Sequence, residues 1–270
     1  MRTGHLIYRD AELISDLALD WIDETRRGEP FFLMLNYMDA HHPTMPPAPH
    51  DSAFESAKPA DPLIVPPELI PLQYDRALHY LDTQVARVLD RLEALDLFEN
   101  TTIVLTSDHG EGFGEHGVWR HGEALYEELV HVPLFLKPAG GREAAIDNRP
   151  ITGYEVHDRM LLELGLDPGP RTPSPVQFEW YGRRGTEVTD AVGWLEGTRK
   201  WIASRKGIEA YDWKEDPLEL VPLDLSEEEV AQARQRALDW WDAHAGEDPG
   251  REETTEERLR ILRALGYTGD

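Results

Sequence analysis

The chain has 270 residues, 40% of them hydrophobic, enough to bury a sizeable core in one large or two unequal units. Its 27 Lys and Arg against 52 Asp and Glu leave a formal net charge of -25, which excludes the basic surface of a nucleic-acid-binding protein and describes a solvated, self-repelling one. Cysteine is absent, and with it disulfides, thiolate metal ligands and cysteine nucleophiles.

The opening MRTGHLIYRDAEL has neither the apolar core nor the small-residue cleavage site of a signal peptide, so the cytoplasm is the default compartment, with export open if the N-terminus is missing. No apolar run is long enough to cross a bilayer. From Ala11 to Ile22, the apolar residues Leu13, Ile14, Leu17, Ala18 and Trp21 recur at helical spacing and predict an amphipathic helix. The run Phe31–Tyr37 after Pro30 predicts a strand covered on both faces, and it ends in a loop dense in Pro and His. After the Pro-rich stretch 57–71, Leu78, Leu81, Val85, Val88, Leu92 and Leu95 predict a second helix, and residues 102–106 a second buried strand.

Strand, helix, strand reads as a crossover in a parallel sheet, which gathers reactive groups beyond the strand ends, at Asp39–His42 and Ser107–His109. A third strand at Val132–Lys137 and a helix near Glu155–Leu164 extend the same layering. Beyond residue 170 the pattern changes to short segments at Val176–Tyr181, Ala191–Leu195, Arg199–Ser204 and Ile208–Trp213, a small antiparallel sheet. Ser226 and Glu229 form a capping box ahead of a helix through Trp240 and Trp241, and a last helix carries Leu259, Leu262 and Leu265. The domains expected are 1–170, an α/β unit, and 171–270, a C-terminal subdomain.

Asp108 and His109 sit where a strand gives way to a turn, and Gly110 is read as freeing the backbone so that both side chains reach one cation. His116 and His121 follow within one loop. His116 is open to two readings, a hydrogen bond that shapes the turn or a direct contact with substrate. Asp39-Ala40-His41-His42-Pro43 offers donors for an anionic oxygen.

TIVLTSDHGEGFGEHGVWRHGEALYEELVHVPLFLKP resembles the core block of bacterial sulfatases in the alkaline phosphatase superfamily, with SDHGE, GEHG and LYEE in order. FFLMLNYMDAHHPTMPP resembles the family's strand and substrate-contacting His segment, YDRALHYLDTQVARVLDRL its intervening helix, and TRKWIASRKGIEAYDWKEDPLEL its C-terminal strands and acidic-Pro turn. The resemblance implies an alkaline-phosphatase-like α/β fold, a mostly parallel sheet flanked by helices, with a small antiparallel sheet and helix at the C-terminal end. It implies hydrolysis of sulfate esters, small molecules or glycans, with a divalent metal (Ca, Mn or Zn) held by Asp108 and His109.

His109 stands where many calcium-dependent relatives have Asn. By the same resemblance His41 and His121 bind the ester and stabilise charge, either of them protonating the leaving alcohol, and His116 joins the substrate-binding set. The family's nucleophile, a Cys or Ser in a C/S-x-P-x-R setting, has no counterpart here, which implies an N-terminally incomplete chain. The alternatives are a phosphodiesterase or phosphonate monoester hydrolase of the same superfamily, and a non-catalytic remnant serving as a binding module.

Overall fold

The computed structural model describes residues 10–25, 29–54, 65–122, 124–141, 143–170, 176–180, 183–184, 187–188, 191–204 and 206–244. They fall into two compact units, one up to Glu99 and one from Asn100. In the first, helix α1 (Ala11–Thr25) packs on helix α2 (Ile70–Ala94).

The face α1 buries is made of Ala11, Ser15, Ala18 and Ile22, while Leu13, Leu17 and Trp21 stay exposed. Steps of four, three and four residues place that row on one stripe, and its small side chains suit close approach of two helices. The expected stripe through Leu13 and Leu17 is therefore not the buried one. Ser15 is accommodated because its hydroxyl bonds Tyr37 Oη at 2.9 Å and the Gln84 carbonyl at 3.4 Å. Asp10 caps the helix through the backbone amides of Glu12 and Leu13. Helix α2 begins well before the sequence pattern does, with Pro71 in the first turn, where its missing N–H costs nothing.

Residues 31–37 carry no strand pairing among the described residues, and Phe32 and Met34 are 77% and 75% exposed. The doubly covered strand expected there is not formed. An apolar run says that a segment can be buried, but not which backbone supplies its hydrogen bonds.

The second unit begins with strand β1 (Ile103–Thr106), a hairpin of β2 (Gly112–Phe113) and β3 (Trp119–Arg120), the single turn α3 (Glu127–Val130), strand β4 (Leu134–Lys137) and helix α4 (Gly153–Glu163). Thr152 and Glu155 form a complete capping box on α4. β4 runs antiparallel to β1, from Ile103 opposite Lys137 to Thr106 opposite Leu134. Every strand pairing among the described residues is antiparallel, so the parallel crossover expected between residues 31–37 and 102–106 is absent from them. The hairpin and α3 reverse the chain between β1 and β4, and that reversal decides the direction.

Next come β5 (Gln177–Trp180), the short pair β6 (Arg183–Arg184) and β7 (Glu187–Val188), then β8 (Ala191–Glu196), β9 (Arg199–Ser204) and β10 (Gly207–Asp212). They form a four-stranded antiparallel sheet in the order β10-β9-β8-β5, as the turn-spaced segments predict. Helix α5 (Glu227–His244) starts at the Ser226–Glu229 capping box. The last predicted helix, with Leu259, Leu262 and Leu265, lies outside the described residues.

Strand alternation gives the sheet two apolar faces. Val192, Trp194, Trp201, Ala203 and Ala210 pack with Ala233 and Ala237 of α5. Ala191, Ile202 and Tyr211 pack with Leu125, and Tyr126, Val130 and Phe178 close the cluster. That second core carries the chain around α3 onto the C-terminal sheet, so the compact unit runs through residue 170 rather than ending there.

Lys200 lies on this second face with a fully buried side chain. Its Nζ is 2.8 Å from Glu127 Oε1, a hydrogen bond, and 2.8 Å from Glu219 Oε1, a charge contact outside hydrogen-bond alignment. Glu219 Oε2 accepts the Glu127 backbone N–H at 2.7 Å. A buried ammonium is tolerated only with such partners. Lys200→Met is expected to destabilise the chain by about 3–5 kcal/mol, because two carboxylates then face each other without a cation. A fall in the urea midpoint checks this; an unchanged midpoint contradicts it.

Candidate active site

Beyond Thr106, the chain folds back on itself through its own side chains. Ser107 Oγ donates to the His109 carbonyl at 2.7 Å, and Asp108 Oδ1 accepts the His109 N–H at 3.0 Å. Such local bonds turn an extended chain without a helix or ladder. The Gly110 N–H then donates to the Leu129 carbonyl at 2.8 Å.

Gly110 does not adopt a positive φ, so its role differs from the expected release of the backbone. A Cβ there would stand 2.0 Å from the Glu128 carbonyl oxygen. Glycine is required because α3 crosses directly over the loop.

His109 Nδ1 lies 2.8 Å from the Gly110 carbonyl, which can only accept, so Nδ1 is the donor there and Nε2 is the ring nitrogen left facing Asp108. Nε2 is 3.8 Å from Asp108 Oδ1. The Asp108 side chain is 80% exposed and that of His109 38%. A carboxylate oxygen and an imidazole nitrogen are donors of the kind that can hold a divalent cation, and the Nδ1–carbonyl bond is the orienting contact that metal-bound histidines use. No group of three or more His, Asp or Glu side chains able to hold a metal occurs among the described residues.

The β2–β3 hairpin brings His121 back to this point. Arg120 at φ 69 and Gly122 at φ 75 bend the chain around it. The His121 ring stacks on that of His109 with centroids 4.1 Å apart and an interplanar angle of 26°. His121 Nδ1 is 3.3 Å from Glu111 Oε2, whose side chain is only 10% exposed. Glu111 is a site residue the sequence reading did not single out, although it stands within the SDHGE string.

His116, at the hairpin tip, faces elsewhere. Its Nδ1 is 2.9 Å from Glu128 Oε1 and its Nε2 3.0 Å from the Glu219 carbonyl. The ring stacks on Tyr126 at 3.9 Å. Both nitrogens are thus engaged inside the protein, which is the structural bond of the two readings open in the sequence. Burial opposes charge on this ring, but the bonds to Glu128 and Glu219 outweigh it and raise its pKa.

His41 belongs to the first unit, in a turn where its N–H donates to the Met38 carbonyl at 2.9 Å and its Nδ1 lies 2.7 Å from the His42 carbonyl. No helix among the described residues is long and apolar enough to cross a membrane.

Comparison with known proteins bears on this arrangement. Residues 4–161 match the Sulfatase family. The uncharacterized sulfatase YidJ of Escherichia coli K12 is 25% identical over 251 residues, 78% of this chain and 50% of that protein. The structure of BT4656 in complex with its substrate D-glucosamine-2-N, 6-O-disulfate shares the fold at a TM-score of 0.60 and 17% identity, covering 91% of this chain and 72% of that one. The phosphonate monoester hydrolase of Agrobacterium radiobacter does so at 0.62 and 16%, covering 92% and 63%. The chain thus spans half the length of its YidJ relative.

Gly110→Ala is expected to lower stability by about 1–3 kcal/mol, since loop or α3 must shift to admit the methyl group. Thermal unfolding checks this, and a melting temperature equal to that of the parent chain contradicts it.

Proposed function

Because the chain belongs to the sulfatase family, matching it over residues 4–161, we propose that it supplies the metal-binding and ester-binding part of a sulfate-ester hydrolase. The observation that carries this reading is the grouping at the end of β1: Asp108 Oδ1 and His109 Nε2 at 3.8 Å, with the His121 ring stacked beside them.

Asp108 and His109 hold the divalent cation, one by carboxylate oxygen and the other by Nε2. When bound, such a cation polarises the ester and favours the ionised form of the attacking oxygen. His121, oriented by Glu111, contacts the ester oxygens. Proton delivery to the departing alcohol from His121 contributes about 10²–10⁴-fold. A chain with a formal charge of -25 repels sulfate at long range, so local cationic and imidazole groups must hold it. The attacking group is assigned to none of these residues, since the chain has no Cys and no Ser in the family's C/S-x-P-x-R setting. A sulfated sugar is the substrate class proposed, on the fold shared with the glucosamine-disulfate complex.

A phosphonate monoester or phosphodiester is the rival, supported by the fold shared with the phosphonate monoester hydrolase. Titration with Mn, Zn or Ca ions, then with p-nitrophenyl sulfate, separates these readings. The parent chain is expected to bind a cation, and the sulfate ester only when loaded, with Asp108→Ala weakening the cation at least about tenfold. A chain that takes up no cation ends the proposal, and preference for bis-p-nitrophenyl phosphate turns it toward the rival.

A further inference from the structure

His121 and His116 stand at opposite ends of the β2–β3 hairpin: Gly112 pairs with Arg120 at the base, beside His121, and Phe113 with Trp119 toward the tip, beside His116. Two short pairings hold the hairpin together, so its placement depends on what its tip grips. The grip is specific. An ionised Glu128 carboxylate and the Glu219 carbonyl are both pure acceptors, so a ring that bonds both must donate from both nitrogens.

We propose that His116 is a positioning residue: held as an imidazolium between Glu128 and Glu219, it fixes the hairpin tip and thereby the placement of His121 beside His109. This rests on the sulfate-ester reading only in what His121 does; the latch itself is a property of the second unit.

The charged neighbours are consistent with it. α3 presents Glu128 to His116 and, one residue earlier, Glu127 to Lys200. The turn after β10 presents Glu219, whose carbonyl meets the imidazole and whose carboxylate meets Lys200. From the hairpin itself Glu115 turns back to accept the Phe113 N–H at 2.6 Å, and Tyr126 covers the ring face. Glu219 holds this geometry at φ 54, an uncommon conformation for a residue with a side chain.

The linkage has a definite sign. The pKa of His116 is raised on folding, so the latch is fully formed below the unfolded value and is lost as pH rises through the folded one. In Glu128→Gln the amide can donate to a neutral ring, which keeps the contact and removes its pH dependence.

The test has two arms on the full chain. Histidine-selective ¹⁵N NMR through a pH titration is expected to show both His116 nitrogens staying protonated above the pH at which an unperturbed histidine loses its charge; a ring already neutral at that pH would overturn the proposal. In the cation-loaded chain, His116→Gln is expected to weaken p-nitrophenyl sulfate binding about 10–100-fold while cation affinity holds, with Glu128→Gln binding flat across the pH range in which the parent declines as His116 loses its charge. Equal ester binding by His116→Gln and parent would also overturn it. A parent chain that binds no sulfate ester sinks the functional reading instead, and the NMR arm then decides the latch.

Discussion

The second unit depends on one buried ammonium. Lys200 projects from β9 on the sheet face opposite the tryptophan core, where an unpaired charge would not survive, so the sheet is stable only with Glu127 and Glu219 brought to it. Glu127 brings α3, and Glu219 brings the turn after β10. Once α3 is seated, its backbone receives Gly110 and its Glu128 receives His116. The loop at the end of β1 and the hairpin that returns His121 are thus both located by an interaction that touches neither. LYEE and DPLEL, about ninety residues apart in the chain, meet at this one charge through Glu127 and Glu219.

A division of labour follows. Asp108 and His109 face solvent, where a cation and an ester can reach them, whereas Glu128, Glu219 and Lys200 are withdrawn from water, where electrostatic contacts are strongest and most directional. Exposed donors can be rearranged by a ligand at little cost. Buried ones hold their geometry and pass it to the surface through short elements, here a single helical turn and a two-residue hairpin ladder.

Several features were legible because their cause is local. The spacing of Ser226 and Glu229 marks the start of α5, and alternation with turn residues marks β8, β9 and β10. The grouping of Asp108, His109 and His121 could be read because these residues lie within one loop, so that any compact turn keeps them near each other. The buried face of α1 was misjudged because apolarity was taken as the guide; the packing selects Ala11, Ser15 and Ala18 for their small size, and Leu13 and Leu17 are left outside. The direction of β1 against β4 was likewise beyond local pattern, since parallel and antiparallel strands share the same apolar runs.

The chain's amino-acid order by itself determined the family, the acidic surface, the absence of a cysteine nucleophile and the strand-end loop that carries the candidate metal ligands, because each is a matter of composition or of residues close in sequence. Only the tertiary structure decided that His116 grips Glu128 and Glu219 while His121 turns to His109 and Glu111, and that Gly110 is demanded by the backbone of α3. Two histidines five residues apart in one loop look alike in sequence. What separates them is which buried acceptors the fold delivers, and Glu219 comes from more than a hundred positions away.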